Sequence, residues 1–377
     1  MSAVRRLGVI GVALLVLTIA ACTSSTSATT QTEAHTHVTP TAVTGAAGYF
    51  WLLGEYRCAT GTCPVVMRST DGGKSFVRVG SPPASVDVLQ FANHEDGYAY
   101  SAYSFGSDDE QATLYWTGNG GRTWQLAPLR FSESRPPSMV ITSGRAYLLD
   151  CENYLADGDC ESQELASSVV TSDTWMTTRL QPPVDEATQP VGLASFGSKV
   201  WLIAAGAGAN AALLVSDDGG RSFASLPSTG LGGLACGATA TSDTTLWGFC
   251  ATGLLDYAAR STDGGRHFAL LPGWNRGFKG GAANSGQILP LSNTEAIFRL
   301  AVPGMWLTRN GGAHFSPVRF SSLWQNPNYF FSIAFASATT WLVLGVQDPG
   351  ENNPMWRTTD GGRSWQQVKT PILETGR

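Results

Sequence analysis

One eight-residue pattern recurs six times in this chain and constrains its fold more than any other feature. The consensus is Ser/Thr-x-Asp/Asn-Gly-Gly-x-x-Phe/Trp, and the copies begin at Ser69, Thr117, Ser216, Ser261, Thr308 and Thr358. Short polar side chains such as Ser, Thr, Asp and Asn hydrogen-bond nearby backbone groups in turns. A Gly pair supplies backbone angles that other residues rarely adopt. The pattern therefore predicts a tight hairpin turn, closed by an aromatic side chain that packs back onto a sheet.

The spacing of the copies predicts the number of repeats. The second Gly of each copy lies at positions 73, 121, 220, 265, 312 and 362, with successive gaps of 48, 99, 45, 47 and 50 residues. The gap of 99 is two periods, and a remnant of the pattern, Thr171-Ser172-Asp173-Thr174-Trp175, lies inside it. The chain therefore contains seven repeats of about 47 residues, a period typical of four-stranded propeller blades.

Each repeat contains four short strand-like stretches, which in the second repeat lie near 86–92, 97–103, 112–117 and 123–127. The eight-residue pattern then falls in the turn between the third and fourth strands. We predict an all-β fold, a seven-bladed β-propeller of four-stranded antiparallel blades. The short C-terminal segment Thr370–Leu373 could add to the sheet of blade one and help to close the ring, and the pattern leaves this point open.

The repeated pattern resembles the Asp-box, also called the bacterial neuraminidase repeat. That box occurs in sialidases, xyloglucan hydrolases, sortilin-type receptors and photosystem assembly factors, where it lies on the face away from the active centre. The resemblance implies a sialidase-superfamily-like fold in which the boxes are structural rather than catalytic. The residues so assigned are Asp71, Asn119, Asp218, Asp263, Asn310 and Asp360.

The N-terminal segment carries targeting signals. Arg5 and Arg6 precede the apolar stretch Leu7–Ala20, which has the length of a signal peptide and is short for a membrane span. It leads into Ile19-Ala20-Ala21-Cys22, which resembles the lipobox of bacterial lipoproteins. In that family the Cys thiol receives a diacylglycerol and becomes the new N-terminus. The alternative is an ordinary signal peptide followed by an unrelated Cys.

Three segments are therefore expected: a signal peptide with lipobox at 1–21, a lipidated Cys22 with a disordered tether at 22–40, and the propeller at 41–373. Residues 23–40 contain almost no apolar side chains and cannot bury a core. His35 and His37 lie in this segment, and we expect them to be solvated rather than to bind a metal. The expected location is the outer side of the cell membrane, with the membrane as a partner through the lipid on Cys22.

The remaining six cysteines predict three local disulfides. They form the pairs Cys58/Cys63, Cys151/Cys160 and Cys236/Cys250, each close in sequence and far from the next. In an oxidising compartment local pairing is the simplest arrangement, although six cysteines allow 15 connectivities. A structural zinc site is the alternative, but none of the pairs has the two-residue spacing and neighbouring His that zinc prefers.

The charge balance excludes one class of partner. The formal net charge is −5 and no basic run follows residue 6, whereas nucleic-acid binding needs a clustered basic surface. We expect no nucleic-acid partner, no cofactor, no metal and a monomeric protein.

Antiparallel alternation places the least repeat-like segments together on the face opposite the boxes. These segments are 103–112, 151–165, 274–281, 321–331 and 347–354. Irregular loops on a rigid scaffold are where binding residues concentrate. From them Trp274, Arg276, Trp324 and Tyr329 are predicted to form an aromatic and basic rim for a ligand, with packing of the loops against the blades as the alternative.

Two of these segments are acidic. Their residues are Asp108, Asp109, Glu110, Glu152, Asp157, Asp159 and Glu161. Hard cations prefer several oxygen ligands, so a calcium site is one interpretation. The Asp157-Gly158-Asp159 stretch lacks a full ligand pattern, and solvated loop carboxylates are the expected interpretation.

The predicted function is that of an envelope-anchored binding or scaffold lipoprotein, which engages a protein or glycan through the face opposite the boxes. The alternative is an exo-acting glycoside hydrolase of sialidase type. Sialidases carry an Arg in a Phe/Tyr-Arg-Ile-Pro motif early in the domain, whereas the nearest string here is Phe298-Arg299-Leu300 in blade six. A two-carboxylate hydrolase needs only two acids across the channel, so the enzyme question stays open, with non-catalytic binding preferred.

Overall fold

The computed structural model describes most of the chain from residue 35 onward. The described ranges are 35–83, 86–101, 112–131, 138–154, 160–180, 188–206, 212–227, 230, 235–251, 256–272, 287–300, 304–320, 330–346 and 353–374. Within them the chain forms thirty β-strands and no helix. Cys22 and the predicted signal peptide lie outside the described residues.

Seven four-stranded antiparallel sheets form a ring, as the repeats predict. Each sheet uses four consecutive strands paired in chain order. Blade one consists of β2 (Thr39–Ala46), β3 (Tyr49–Cys58), β4 (Gly61–Ser69) and β5 (Val77–Gly80), and blade two of β6 (Val88–Phe91), β7 (Asp96–Tyr100), β8 (Ala112–Gly118) and β9 (Gln125–Phe131). Blade three consists of β10 (Ser138–Thr142), β11 (Arg145–Tyr154), β12 (Cys160–Val169) and β13 (Thr174–Arg179), and blade four of β14 (Thr188–Phe196), β15 (Lys199–Gly206), β16 (Ala212–Ser216) and β17 (Ala224–Leu226).

The last three blades follow the same plan. Their strands are β18 (Ala235–Ala240), β19 (Leu246–Ala251), β20 (Asp256–Ser261), β21 (Ala269–Leu270); β22 (Gln287–Pro290), β23 (Ala296–Leu300), β24 (Gly304–Thr308), β25 (Ser316–Pro317); and β26 (Phe330–Phe335), β27 (Trp341–Val346), β28 (Met355–Thr358), β29 (Gln366–Val368). Two terminal strands, β1 (His35–His37) and β30 (Ile372–Glu374), pair outside the blades. The all-β, seven-bladed prediction is confirmed.

The first strand of each blade is the innermost. First strands of neighbouring blades contact one another, as β2 does with β6 and β26, and each is the edge of its sheet. Their unpaired edges therefore surround the channel. The turns between first and second strands and between third and fourth strands lie at one end of the blades, which we call the turn face. The opposite end carries the second-to-third loops and the connections between blades, and we call it the mouth face.

Each of the six repeat turns is a closed network of hydrogen bonds around its Asp or Asn. In blade one the Asp71 carboxylate accepts from the Lys74 amide at 2.9 Å, and from the Ser75 amide at 3.1 Å and hydroxyl at 2.6 Å. The Ser69 hydroxyl donates to Asp71 at 2.8 Å and accepts from the Gly73 amide at 2.8 Å. Equivalent bonds surround Asn119, Asp218, Asp263, Asn310 and Asp360.

In blades two, four, five, six and seven a backbone hydrogen bond joins the two turns of the turn face. The first Gly amide of a repeat turn donates to a carbonyl of the first-to-second turn of the same blade. These bonds run from Gly120 to Glu95, Gly219 to Ser198, Gly264 to Thr244, Gly311 to Thr294 and Gly361 to Thr339, at 2.7–2.9 Å. Both Gly residues of each turn have positive φ, which explains the Gly pair.

The third blade keeps this arrangement without the Gly pair. Between β12 and β13, the Val170 amide donates to the Gly144 carbonyl at 3.0 Å, in place of the Gly-to-turn bond of blades two and four to seven. Asp173 takes a positive φ of 46° and accepts from the Trp175 indole at 2.8 Å. The remnant motif therefore marks a genuine blade whose turn uses different residues.

Tryptophans on second strands connect neighbouring blades. The buried Trp51 indole donates to the Gly120 carbonyl of the next blade at 3.1 Å, and Trp201 donates to Gly264 at 3.0 Å. The Trp51 ring also stacks on Phe91 with a centroid distance of 3.9 Å. Since Gly120 and Gly264 belong to repeat turns, the turns serve as docking points between blades as well as hairpin turns within them.

The ring closes at the junction of blades one and seven. On the turn face, Arg357 donates to the Gly72 carbonyl at 3.4 Å. On the mouth face, the buried Asn353 amide donates to the Pro40 carbonyl at 2.6 Å. The C-terminal strand β30 pairs with β1 rather than joining the four-stranded sheet of blade one, which answers the point left open by the sequence.

Order begins earlier than residue 41, where the sequence places the start of the propeller. His35–His37 pair in register with Ile372–Glu374, and the Val38 amide donates to the Pro371 carbonyl at 3.0 Å. Val38 is fully buried, in one apolar cluster with Leu373. One buried aliphatic side chain and a strand partner from the far end of the chain therefore order 35–40, which the local composition does not predict.

The carboxylates of the repeat turns predict acid sensitivity. Burial would raise the pKa of Asp71, but hydrogen bonds from Ser75, Ser69 and Lys74 outweigh it and lower the pKa to about 2. Because the folded-state pKa is below the unfolded value of about 3.9, the stabilisation is present above about pH 4 and is lost as pH falls towards 2. Between pH 4 and pH 2.5, we expect the free energy of unfolding to fall less in Asp71→Asn than in the parent protein, as measured by urea denaturation.

Asn119 provides the internal reference for this variant. Its side-chain oxygen accepts the Arg122 and Thr123 amides at 3.0 Å, so an amide satisfies the same backbone donors without a charge. Asp71→Asn should therefore fold normally at pH 7. An unchanged pH slope in the variant would show that Asp71 does not contribute to acid sensitivity.

Candidate functional site

The mouth face carries the segments that the sequence singles out. By chain position, 103–112, 151–165 and 347–354 connect second and third strands, and 274–281 and 321–331 connect neighbouring blades. The described strand ends that flank all five segments therefore lie at the mouth face. The rim residues Trp274, Arg276, Trp324 and Tyr329 lie outside the described residues, as do Asp108, Asp109, Glu110, Asp157 and Asp159. Their role as a ligand rim stays a prediction.

The channel wall is electrically neutral along its described strands. The innermost strands β2, β6, β10, β14, β18, β22 and β26 are built from apolar residues, Gly, Pro, Ser, Thr, Gln and Cys, with no Asp, Glu, Lys, Arg or His. Because each is an edge strand, its free backbone N–H and C=O groups also face inward. The described wall therefore offers neutral hydrogen-bonding groups rather than ion-pairing ones.

Blade one contributes a disulfide-closed hairpin to the mouth face. Strands β3 and β4 continue to Cys58 and Gly61, and a disulfide joins Cys58 to Cys63, which confirms the first predicted pair. On the same hairpin, the Tyr56 ring centroid lies 5.7 Å from the Arg78 guanidinium. Ala59 and Thr60 form an exposed tip. The hairpin is thus closed by a disulfide and carries an aromatic side chain that contacts a basic one.

Blade three carries a second long strand pair at 151–154 and 160–165, where the sequence predicts an irregular loop. Strand β11 continues to Tyr154 and β12 starts at Cys160, with register shifts between Cys151 and Tyr154. The backbones of Glu152 and Glu161 therefore lie in strands. The apparent irregularity in sequence reflects a hairpin that extends beyond the blade and contains bulges.

Blade two adds a small polar cluster beside the channel. Gln90 on the innermost strand donates to the Tyr100 hydroxyl at 3.2 Å, and the Asp87 amide donates to the Tyr100 carbonyl at 3.2 Å. Tyr100 is buried, whereas Asp87 is exposed at the mouth end of the blade. Glu55, opposite Thr39 in register, occupies the corresponding end of blade one. These residues were not identified from the sequence.

Burial raises the pKa of three tyrosines. Burial, and then the Asp87 carboxylate, raises the pKa of Tyr100, and burial also raises the pKa of Tyr98 and Tyr147. In the repeat turns the pKa of Asp218 and Asp360 is lowered, mainly by the Ser222 and Ser364 hydroxyls respectively. These tyrosines are therefore neutral near pH 7, and the turn carboxylates are ionised.

The arginines that precede the repeat turns contact second strands of their own blade or the turn of the next blade. Arg68 on β4 lies over the Tyr49 ring at 5.8 Å, and Arg260 on β20 lies over the Trp247 ring at 5.1 Å. Arg309 donates to the Gly361 carbonyl of blade seven and to Glu295 at 3.0 Å. Arg299, from the nearest sialidase-like string, is opposite Gln287 in register at the mouth end of blade six, next to the fully buried Phe298.

The other cysteine pairs are described only through their backbones. Cys236 and Cys250 are direct cross-strand partners in β18 and β19, whereas Cys151 is opposite Gln163 and Cys160 is opposite Tyr154. Directly opposed residues in antiparallel strands have a Cα separation of about 4.5–5.5 Å, within the range of disulfides. Both bridges stay predictions.

Thiol titration tests these bridges. We expect a soluble chain that starts at residue 23 to show no free thiol when denatured without reductant, and Cys236→Ser to expose one thiol, that of Cys250. Cys58→Ser serves as the matched control, since it should free Cys63 alone. Two or more thiols in the unreduced parent chain would disprove the three-bridge arrangement.

The part of the chain that the structure describes has neither a metal-binding cluster nor a membrane-spanning helix. Across the described ranges, His, Cys, Asp and Glu do not form any group of three or more placed to hold a metal ion. In the same ranges no helix is long and apolar enough to cross a bilayer.

Comparison with solved structures finds the same fold in proteins of diverse function. The chain is similar to YCF48 bound to D1 peptide, with TM-score 0.53 and 15% identity over 86% of this chain and 94% of that one. The propeller domain of the trilobed protease from Pyrococcus furiosus, described as having an open velcro topology, gives 0.57 and 5%, over 90% and 100%. An ulvan lyase of polysaccharide lyase family PL25 gives 0.51 and 9%, over 89% and 97%.

Neither protein-family models nor curated proteins match the sequence. The structural neighbours thus show a β-propeller shared by a peptide-bound protein, a protease domain and a polysaccharide lyase. The fold alone does not distinguish between these functions.

Proposed function

We propose that this protein is a lipid-anchored binding or scaffold protein of the cell envelope, which engages a protein or glycan through its mouth face. The observation that carries the proposal is the neutral channel wall, whose inner strands present backbone groups and uncharged side chains. Such a surface suits hydrogen bonding to a peptide or sugar. The YCF48 structure, with its bound peptide, is a precedent for peptide binding by this fold.

We further propose that the repeat turns are Asp-boxes. Their consensus, their place between third and fourth strands, and the hydrogen bonds centred on residues such as Asp71 and Asp360 support this identity. They lie on the turn face, and their side chains are engaged in bonds within the turn. Under this proposal they stabilise the blades and leave ligand binding to the opposite face.

The anchor is the lipid on Cys22. Its support is the sequence Ile19-Ala20-Ala21-Cys22 after an apolar segment of signal-peptide length. We expect Cys22→Ser to move the protein from the membrane fraction to the soluble fraction of the envelope. Thr23→Ser, one residue further on, is the control and should stay with the membrane. Full membrane retention of Cys22→Ser would contradict lipid anchoring.

The competing function is glycoside hydrolysis by carboxylates at the mouth. Glu55 and Asp87 are exposed at the mouth ends of blades one and two, and two acids are the minimum for this chemistry. A screen of the mature domain against fluorogenic glycosides, sialosides included, separates the proposals. The binding proposal expects no turnover above buffer. Turnover that Glu55→Gln or Asp87→Asn abolishes would replace it with the enzymatic function.

A further inference from the structure

Both ends of the described chain leave the propeller at the mouth face. Strand β2 runs towards the first-to-second turn at Ala46, so it enters from the mouth face, and β1 directly precedes it. Strand β29 follows a repeat turn and therefore runs towards the mouth face, where β30 continues from it. The pairing of β1 with β30 and the burial of Val38 and Leu373 hold His35 at this face.

The segment between the anchor and His35 is short. Twelve residues separate Cys22 from His35, so the fully extended reach is about 45 Å. To turn the opposite face to the membrane, the segment would cross the four strands of a blade, about 14 Å, and the height of β3, about 33 Å. This path is as long as the fully extended segment, so no length of chain would remain to reach the lipid.

We infer that the mouth face is turned towards the membrane that carries the anchor, and that its partner is an exposed segment of a protein embedded in the same membrane. This rests on the proposed lipid at Cys22 and goes beyond it, because it assigns an orientation and a partner class. A random coil of this length would span about 20 Å root-mean-square, which would keep the mouth face close to its anchor point. Its uncharged, backbone-lined wall suits the main chain of an extended peptide from such a protein.

Energy transfer to the lipid surface tests the orientation. A fluorescent residue is placed at Ala59, on the hairpin tip of the mouth face, or at Ala338, in the first-to-second turn of blade seven. Both alanines are exposed. The chain from residue 23, with an N-terminal histidine tag, is bound to vesicles that contain nickel-chelating lipid and a headgroup-labelled acceptor. This arrangement tests orientation independently of acylation, which Cys22→Ser tests separately.

We expect greater energy transfer to the lipid acceptor from position 59 than from position 338. The difference should become smaller when about thirty Gly/Ser residues are inserted after Thr30. Equal transfer from both positions of the parent chain, or greater transfer from Ala338, would overturn the orientation. The partner class has its own test in cells. A photo-reactive residue at Ala59 should crosslink to a protein with membrane-spanning segments, and a soluble protein or a glycan strand as its main adduct would overturn that assignment.

Discussion

Trp51→Ala is expected to lower the free energy of unfolding by about 3–5 kcal/mol. The Trp51 side chain is fully buried, stacks on Phe91 at 3.9 Å and donates its indole N–H to Gly120 of blade two at 3.1 Å. Its removal leaves a cavity between two blades and an unpaired carbonyl at a repeat turn. Urea denaturation at pH 7 measures the loss.

Two further variants separate the contributions of Trp51. In Trp51→Phe an aromatic ring remains and the indole N–H is lost, so we expect a smaller loss of about 1–2 kcal/mol. Leu126→Ala removes an apolar side chain that is 59% exposed, and should stay within about 0.5 kcal/mol of the parent. A loss below about 1 kcal/mol in Trp51→Ala would show that the blade interfaces do not depend on this residue.

Leu373→Ala is expected to cost about 2–4 kcal/mol, although the residue lies only four positions before the end of the sequence. Leu373 is 6% exposed and belongs to the apolar cluster that joins blades one and seven, with Val38 and Leu344. Truncating it weakens the closure of the ring and the attachment of β1. The expected result is a lower denaturation midpoint and faster proteolysis next to His35.

Ile372 provides the matched control on the same strand. It is 44% exposed, and Ile372→Ala should cost less than about 1 kcal/mol. Equal effects of the two substitutions would mean that strand pairing, rather than burial of Leu373, holds the termini. No effect of Leu373→Ala would contradict closure of the ring by β1 and β30.

The fold is predictable from this sequence because the strongest signal is local and repeated. A turn such as Ser69–Phe76 closes on its own side chains, so its pattern appears in the sequence without knowledge of the rest of the molecule. The remnant at Asp173 could be assigned to a blade because the period of the other copies locates it. Blade number and strand order followed from that spacing.

The contacts between blades were not predicted, because they depend on residues far apart in sequence. The tryptophans on second strands still leave a signal. Trp51, Trp201, Trp247 and Trp341 lie between 18 and 22 residues before the second Gly of their repeat turns. Alignment of the repeats on the Gly pair, with gaps of a few residues, would have brought these tryptophans together.

The site was less predictable than the fold, because the mouth face consists of connections that the repeat does not constrain. Composition alone singled out 151–165 as an irregular loop, yet most of this segment continues the ladder of β11 and β12. The order of His35–His37 was also missed, since its strand partner is at the other end of the chain. The channel wall can be recognised as neutral only once it is known which strands are innermost.

Photo-crosslinking from residues on the two faces can show which face binds the partner. The claim is that the protein binds its partner through the mouth face, and the two positions are again Ala59 and Ala338, both exposed. A photo-reactive residue at each position is activated in intact cells, and adducts are compared at equal protein levels. We expect a defined adduct from Ala59 and none from Ala338. A defined adduct from Ala338 with none from Ala59 would contradict it.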